Sequence, residues 1–204
     1  MAVRSEPPAL IIIDAQQGID SPVCGRRNNP QAEAHIATLL QCWRMLGLPV
    51  LHVRHDSVSP DSPLRPGAPG HAFKPEAEPL PGEPVFPKTV NSGFIGTNLE
   101  DHLREAGVTA VVCAGFTTDH CVSTTVRMAA NLGFDTTVVT DATATHERTA
   151  PEGQHFCATT MHETALASLG GEFATLVTTQ ALVAEMNEQY RTAAHAAPTA
   201  LEDA

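Results

Sequence analysis

Val108-Thr109-Ala110-Val111-Val112-Cys113-Ala114-Gly115-Phe116-Thr117-Thr118-Asp119-His120-Cys121-Val122 is the stretch on which the fold turns. Its first seven residues contain a single hydroxyl side chain, Thr109, among valines, alanines and a cysteine. An unbroken apolar run of this length, rich in β-branched residues, fits a strand covered on both faces. The run ends at Gly115. After a polar turn, a helix is predicted to begin near Thr118 or Asp119, with Val122, Val126 and Ala129 on its buried side and Gly133 at its end. Strand, tight turn and helix in that order are the repeating unit of a parallel sheet.

The alternation continues outward in both directions. Upstream, Ala9–Ile13 is a second apolar run, closed by Asp14. Asn29-Pro30 reads as an N-cap followed by proline at the first helical position. Ile36, Leu39, Leu40, Trp43 and Leu46 follow at helical spacing, and Gly47 supplies the stop. Val50–Val53 reads as a strand and Val85-Phe86 as a short one. Thr97 with Glu100 fits a capping box for a helix through Leu99, Leu103 and Ala106 to Gly107. Downstream, Thr136–Thr140 and Phe173–Val177 read as strands on either side of a helix through Phe156, Met161 and Leu166. The chain, 1–204, is therefore predicted to be one α/β domain.

Nine of the 16 prolines lie between Pro60 and Pro87, so segment 56–87 is predicted to be a long loop. Such a loop serves either as a lid or binding loop, or as an ordered surface wrap or subunit contact. The tail from Arg191 to Ala204, rich in Ala and Thr, is expected to fray.

Composition excludes several functions. With 42% hydrophobic and 17% charged residues the chain is globular and not disordered. A formal net charge of -11 disfavours nucleic-acid backbones and anionic membranes. No apolar run approaches the roughly 20 residues that span a bilayer. Met1–Pro8 lacks the pattern of a signal peptide, so a cytoplasmic location is expected. The five cysteines are odd in number and widely spaced, which suits thiols and not a disulfide framework. No Gly-x-Gly-x-x-Gly or Walker-type loop is present, and no cofactor is expected.

Three polar residues stand where a parallel sheet builds its sites. Asp14 closes the first strand, Lys88 follows the short third one, and Cys121 lies a turn into the helix after the main strand. All three fall at the carboxyl edge. Singly, each has a bland explanation: a strand-end cap, a solvated lysine, a packed cysteine. Together they make a reaction site. A thiol becomes a nucleophile as its thiolate. The helix N-terminus and the Lys88 ammonium favour that form, and Asp14 could take the proton and return it to a leaving amine. Such a thiol should alkylate readily at mildly acidic pH. The N–H groups of the Gly115–Thr118 turn and of Cys121 are candidates for an oxyanion hole.

Gly115-Phe116-Thr117-Thr118-Asp119-His120-Cys121-Val122 resembles the nucleophile motif of the isochorismatase-like cysteine hydrolases. Ile11-Ile12-Ile13-Asp14-Ala15-Gln16 resembles their first strand, Lys88-Thr89-Val90-Asn91-Ser92-Gly93-Phe94 their lysine segment, and the run from Gly133 to Asp141 matches as well. The resemblance covers about Ala9 to Val177. It implies a three-layer α/β/α fold around a six-stranded, mostly parallel, Rossmann-like sheet. It implies a Cys121–Asp14–Lys88 triad, a cis peptide at Phe116–Thr117, and an oxyanion hole from the Thr117 and Cys121 N–H groups. It also implies hydrolysis of amide, carbamoyl or ureido C–N bonds of a small molecule through an acyl-enzyme, in a homodimer or homotetramer.

The metal-binding Asp-x-His of the family's nicotinamidases is missing from His52-Val53-Arg54-His55-Asp56-Ser57. On a strand, His52 and His55 point to opposite faces, and no metal is expected. The family's isochorismatases proper lack a cysteine at the position of Cys121, which argues against vinyl-ether hydrolysis here. Ile19, Phe94 and Phe116 could wall a substrate pocket, and His55, Arg54 or Arg65 could bind a polar group. The alternative is a catalytically silent binding or regulatory protein on the same fold.

Overall fold

The computed structural model describes residues 7–195. Among the described residues are eight strands: β1 Ala9–Ile13, β2 Val50–His55, β3 Val85–Lys88, β4 Ala110–Phe116, β5 Asp135–Ala144, β6 Arg148–Thr149, β7 His155–Phe156 and β8 Thr175–Val177. The helices are α1 Ala32–Leu46, α2 Leu99–Glu105, α3 Ser123–Asn131, α4 Ala158–Leu169 and α5 Thr179–His195. Six strands form one sheet in the order β3-β2-β1-β4-β5-β8, and every pairing in it is parallel. β6 and β7 form a separate antiparallel hairpin.

The period-2 alternation of β1 divides the core. Leu10 and Ile12 pack with Ile36, Leu39, Leu40 and Trp43 of α1 and with Leu182 and Met186 of α5. Ala9, Ile11 and Ile13 face Leu99 and Leu103 of α2, Val126 and Ala129 of α3, and Leu169 of α4. Burying both faces is why β1 and β4 read as continuous apolar runs. Trp43 is fully buried, and its indole N–H donates to the Pro8 carbonyl at 2.9 Å.

Several boundaries differ from the sequence reading. Asn29 does not cap α1. It sits at φ 43°, and its side-chain amide donates to the carbonyls of Thr140 and Thr143, tying α1 to the upper part of β5. The Thr97–Glu100 capping box is replaced by two separate contacts. Thr97 donates to the Gly93 carbonyl and accepts from Leu99 N–H, whereas Glu100 pairs with Arg104 one turn on. β5 runs four residues past Thr140, and its register against β4 shifts between Cys113 and Gly115. Phe156 belongs to the hairpin and not to the helix, and the last strand begins at Thr175 instead of Phe173. α5 continues through His195, where fraying was expected, while 196–204 lie outside the described residues.

The proline-rich segment is an ordered wrap. Gln16, fully buried, donates from Nε2 to the carbonyls of His55 and His71 and accepts the His55 N–H at Oε1. Gln17 N–H donates to Ala72 O, and Lys74 N–H to Ala15 O. Gly18 and Gly70 meet backbone to backbone. A Cβ on Gly70 would lie 2.6 Å from the Gly18 Cα, so this crossing requires glycine. One end of the wrap, at Leu64, reaches the carboxyl edge.

Candidate active site

β1, β3 and β4 all end at the same edge of the sheet, which brings Asp14, Lys88 and Cys121 together. Asp14 breaks β1 by turning to φ 50°, a left-handed conformation that aspartate tolerates better than most residues. At the end of β4, Gly115 lies at φ 126°. A Cβ there would come 2.0 Å from the Ile13 carbonyl, so β4 can approach β1 this closely at glycine alone. The Phe116–Thr117 peptide is cis, as the resemblance implies. The next residues, Thr118–Val122, form a π-turn before α3 begins, and Cys121 lies within it. The Thr117 carbonyl accepts from the N–H groups of His120 and Val122 and passes over that of Cys121 between them.

Lys88 is the hub. Its Nζ donates to Asp14 Oδ2 at 2.6 Å and lies 2.8 Å from His55 Nδ1 and 3.3 Å from Cys121 Sγ. An ammonium has three donors, and these partners use all of them. His55 Nδ1 must therefore accept, which puts the imidazole proton on Nε2. Asn91 adds a second donor to the sulfur, Nδ2 to Sγ at 3.5 Å. Lys88 and Asp14 are buried, which only a closely paired set of charges sustains. Asp14, His55 and Cys121 present donor atoms within 4.8 Å of one another, as a metal site would. The Lys88 ammonium lies within bonding distance of all three, so the cation that this set answers to is the lysine's own.

Burial raises the Asp14 carboxyl above its ordinary value even though Lys88 pulls it down. Burial, with the Asp14 charge, pushes the Cys121 thiol up to about 12 against the pull of Lys88. The resting sulfur is thus a thiol. The thiolate expected from the helix N-terminus and Lys88 is outweighed, because desolvation penalises the charged sulfur more than a single ammonium repays. Asp14 Oδ1 is buried and has no hydrogen-bond partner among the described residues, which leaves it able to receive that proton. His55 is lowered, first by burial and then by Lys88, which keeps the ring neutral and able to accept.

Asp14, His55 and Cys121 of the cluster, with Ile19, Phe116 and Thr117, line a cavity of about 260 Å³. Phe94 does not join them. It stacks on Phe134, with ring centroids 6.0 Å apart, and packs into the core. Arg54 is held by Asp56, and Arg65 is exposed and does not line the cavity. The remaining lining was not foreseen: Val23, Cys24, Leu64, Asn91, His120, His146 and Arg148. Asn91 lay within reach of inference, three residues beyond Lys88. Arg148 carried no periodic signal, because it sits on a two-residue strand. A larger open groove of about 740 Å³ flanks the amino ends of β5 and β8, lined by Gly133, Phe134 and Gly171 among others, with no cysteine, serine, lysine or histidine in its lining. Among the described residues no helix is long and apolar enough to cross a membrane.

A parallel α/β sheet with a buried carboxylate, ammonium and thiol at its carboxyl edge defines an α/β protein of hydrolase architecture. Comparison with known proteins is specific. The model of the isochorismatase domain matches residues 8–181. YrdC of Bacillus subtilis (strain 168), an uncharacterised isochorismatase family protein, is 45% identical over 178 residues, 87% of this chain and 95% of that one. An isochorismatase-family protein from Chromobacterium violaceum, solved by crystallography, superposes with a TM-score of 0.88 at 47% identity, covering 92% of this chain and 97% of its own. Two more distant relatives have activities in their names. The ureidoacrylate amidohydrolase RutB of Agrobacterium fabrum is 36% identical over 80 residues, 39% of this chain and 35% of that one. The N-carbamoylsarcosine amidase of Thermoplasma acidophilum has a TM-score of 0.67 at 25% identity, over 85% of this chain and 97% of that one. The chain belongs to the isochorismatase family of hydrolases.

Proposed function

We propose that the protein is a cysteine hydrolase that cleaves an amide or N-carbamoyl C–N bond of a small molecule. The observation that carries this reading is the position of Lys88 Nζ behind the cavity wall, 2.6 Å from Asp14 Oδ2 and 3.3 Å from Cys121 Sγ, the two groups that line it. The names of the two distant amide-cleaving relatives support the choice of bond.

The chemistry follows from the proton inventory. When a carbonyl carbon comes up to Sγ, Asp14 takes the thiol proton as the C–S bond forms. The proton transfer then coincides with attack, so a free thiolate is not needed beforehand. Lys88 and Asn91 donate to the sulfur while it carries charge. The N–H groups of Thr117 and Cys121 receive the developing oxyanion, where preorganised donors act most strongly. The tetrahedral intermediate expels the amine, which leaves with the proton from Asp14. Water, deprotonated by Asp14, then attacks the thioester, releases the acid and restores the thiol. No step requires a metal or a cofactor. His55 acts through Lys88, holding its third N–H. The cavity admits a small substrate, with Ile19 and Phe116 as its apolar side.

A screen of small amides and N-carbamoyl compounds, repeated on Cys121→Ala, tests this reading. Turnover should fall about a thousandfold or more while the protein stays folded. An active Cys121→Ala protein would overturn it.

A further inference from the structure

His162 is a buried titratable side chain that the chemistry above does not use. It belongs to α4, yet its ring reaches the turn that carries the nucleophile. Nδ1 lies 2.9 Å from the Thr118 hydroxyl oxygen, and both side chains are buried. Thr118 opens the π-turn Thr118–Val122. In that turn the Thr117 carbonyl takes the N–H groups of His120 and Val122 and leaves out that of Cys121. No bond to Thr117 directs the Cys121 N–H, so its direction depends on how the turn as a whole is held.

The far side of the ring decides which nitrogen carries the proton. Where the register of β5 against β4 shifts, the Thr140 and Thr143 carbonyls accept from the Asn29 amide at 3.2 and 2.7 Å. Those two bonds use both hydrogens of Asn29 Nδ2, which leaves none for His162 Nε2, 3.4 Å away. Nε2 therefore keeps its own hydrogen and donates it to the Thr140 carbonyl. Nδ1 is then an acceptor, and the Thr118 hydroxyl donates to it. Burial lowers the imidazole against the opposing pull of Glu163, the Thr140 carbonyl and Asp119, which preserves the neutral ring that accepts. The next residue of the turn is tied separately, Asp119 Oδ1 accepting from the hydroxyl of Thr145 just past β5. Two successive residues thus fix the turn from outside, one to α4 and one beside β5.

We propose that His162 is a positioning residue: by accepting the Thr118 hydroxyl it sets the direction of the Thr117 and Cys121 N–H groups, the donors assigned to the oxyanion. It touches neither the sulfur nor the cavity, and it acts only through Thr118. Donors aimed in advance stabilise a developing charge most, and they are held so by a shell of fixed hydrogen bonds behind them. The consequence for turnover rests on the hydrolase reading above, whereas the hold on the turn does not.

The link can be cut from either end. Thr118→Val keeps the shape and loses the donor, His162→Leu loses the ring, and His162→Asn restores an acceptor near the place of Nδ1. With a compound that the wild type turns over, Thr118→Val and His162→Leu should each lower kcat about ten- to a hundredfold and move KM by less than about threefold, as for support felt only in the transition state. The combined variant should be no slower than the slower single one, because the same link is cut twice. His162→Asn should recover most of the loss. Denaturant melts establish that each variant is folded, and Thr118→Val with His162→Asn carry the test if His162→Leu is not. Amide NMR of the unliganded protein reads the hold without turnover. The Thr117 and Cys121 N–H resonances should shift in Thr118→Val and His162→Leu and return towards wild type in His162→Asn. Those shifts in a protein that cleaves no amide or N-carbamoyl compound would keep the hold and sink the hydrolase. Unmoved resonances, an unchanged kcat in folded Thr118→Val, or multiplying losses in the combined variant would overturn the proposal.

Discussion

At Cys121 two influences oppose each other. Lys88 and Asn91 direct donors at the sulfur, yet burial and Asp14 hold its proton on, with the thiol pushed up to about 12. The account therefore assigns nucleophilicity to the moment of attack. Iodoacetamide should label Cys121 slowly at pH 6, and no faster than the exposed Cys157, as peptide mapping would show. The same logic sets a pH limb. Asp14 must be ionised to act as base, and its folded pKa is raised, so kcat/KM should fall as pH drops through a value above the ordinary 3.8 of a carboxylate. A pH–rate profile flat down to pH 4 would contradict that assignment. Asp14 and Lys88 were legible as candidates because each is a polar residue at the end of an apolar run, and Cys121 because it is a thiol one turn into the helix after the longest of them. His55 was legible as a candidate, but its bond to Lys88 was not, since side-chain direction at a strand end is decided by the neighbouring strand. Phe94 was misplaced because nearness in sequence to Lys88 says nothing about which way a loop turns.

At the scale of elements, the close approach of β4 to β1 makes Gly115 the sharpest test. Gly115→Ala must move the Ile13 carbonyl or distort the turn, because the added methyl would sit 2.0 Å from that oxygen at φ 126°. We expect a loss of about 2–4 kcal/mol in denaturant melts and loss of turnover, since Asp14 and Thr117 both follow the displaced backbone. A variant with wild-type stability and activity would refute this account of the turn. The strands of the sheet were legible because parallel strands are buried on both faces and read as apolar runs. The β6–β7 hairpin was not, for two residues per strand establish no period, and the cavity wall it contributes was missed with it. The caps misled because Asn29 and Thr97 satisfied other carbonyls, those of β5 and of Gly93.

For the molecule as a whole, the proline-rich wrap and the sheet are joined by few but strong polar contacts, and Glu83 is central to one. It accepts from Arg44 and from Leu80 N–H and lies 2.9 Å from His52 Nε2. Burial tends to raise its carboxyl, but the Arg44 hydrogen bonds, the Leu80 N–H and His52 outweigh that and hold it at about 2. A carboxyl depressed in the folded state adds stability above pH 4.5, which is lost as pH falls through about 2. Glu83→Gln should cost roughly 1–3 kcal/mol at pH 7, with the deficit vanishing near pH 2. Denaturant melts at the two pH values check it, and an equal deficit at both would show that shape and not charge matters there. That the chain would fold as a doubly covered sheet was legible throughout. Whether its longest loop was a lid or a wrap was not, because Gln16, Gly18 and Gly70 tie it down across more than fifty residues of sequence.

The central claim is that Cys121 forms a covalent acyl-enzyme. Its most direct test is rapid-quench intact-mass measurement with an amide or N-carbamoyl compound that the protein turns over, followed by peptide mapping. The account predicts an adduct of the acyl mass on the peptide containing Cys121, removed by hydroxylamine and absent from Cys121→Ala. Turnover that persists in Cys121→Ala would contradict it.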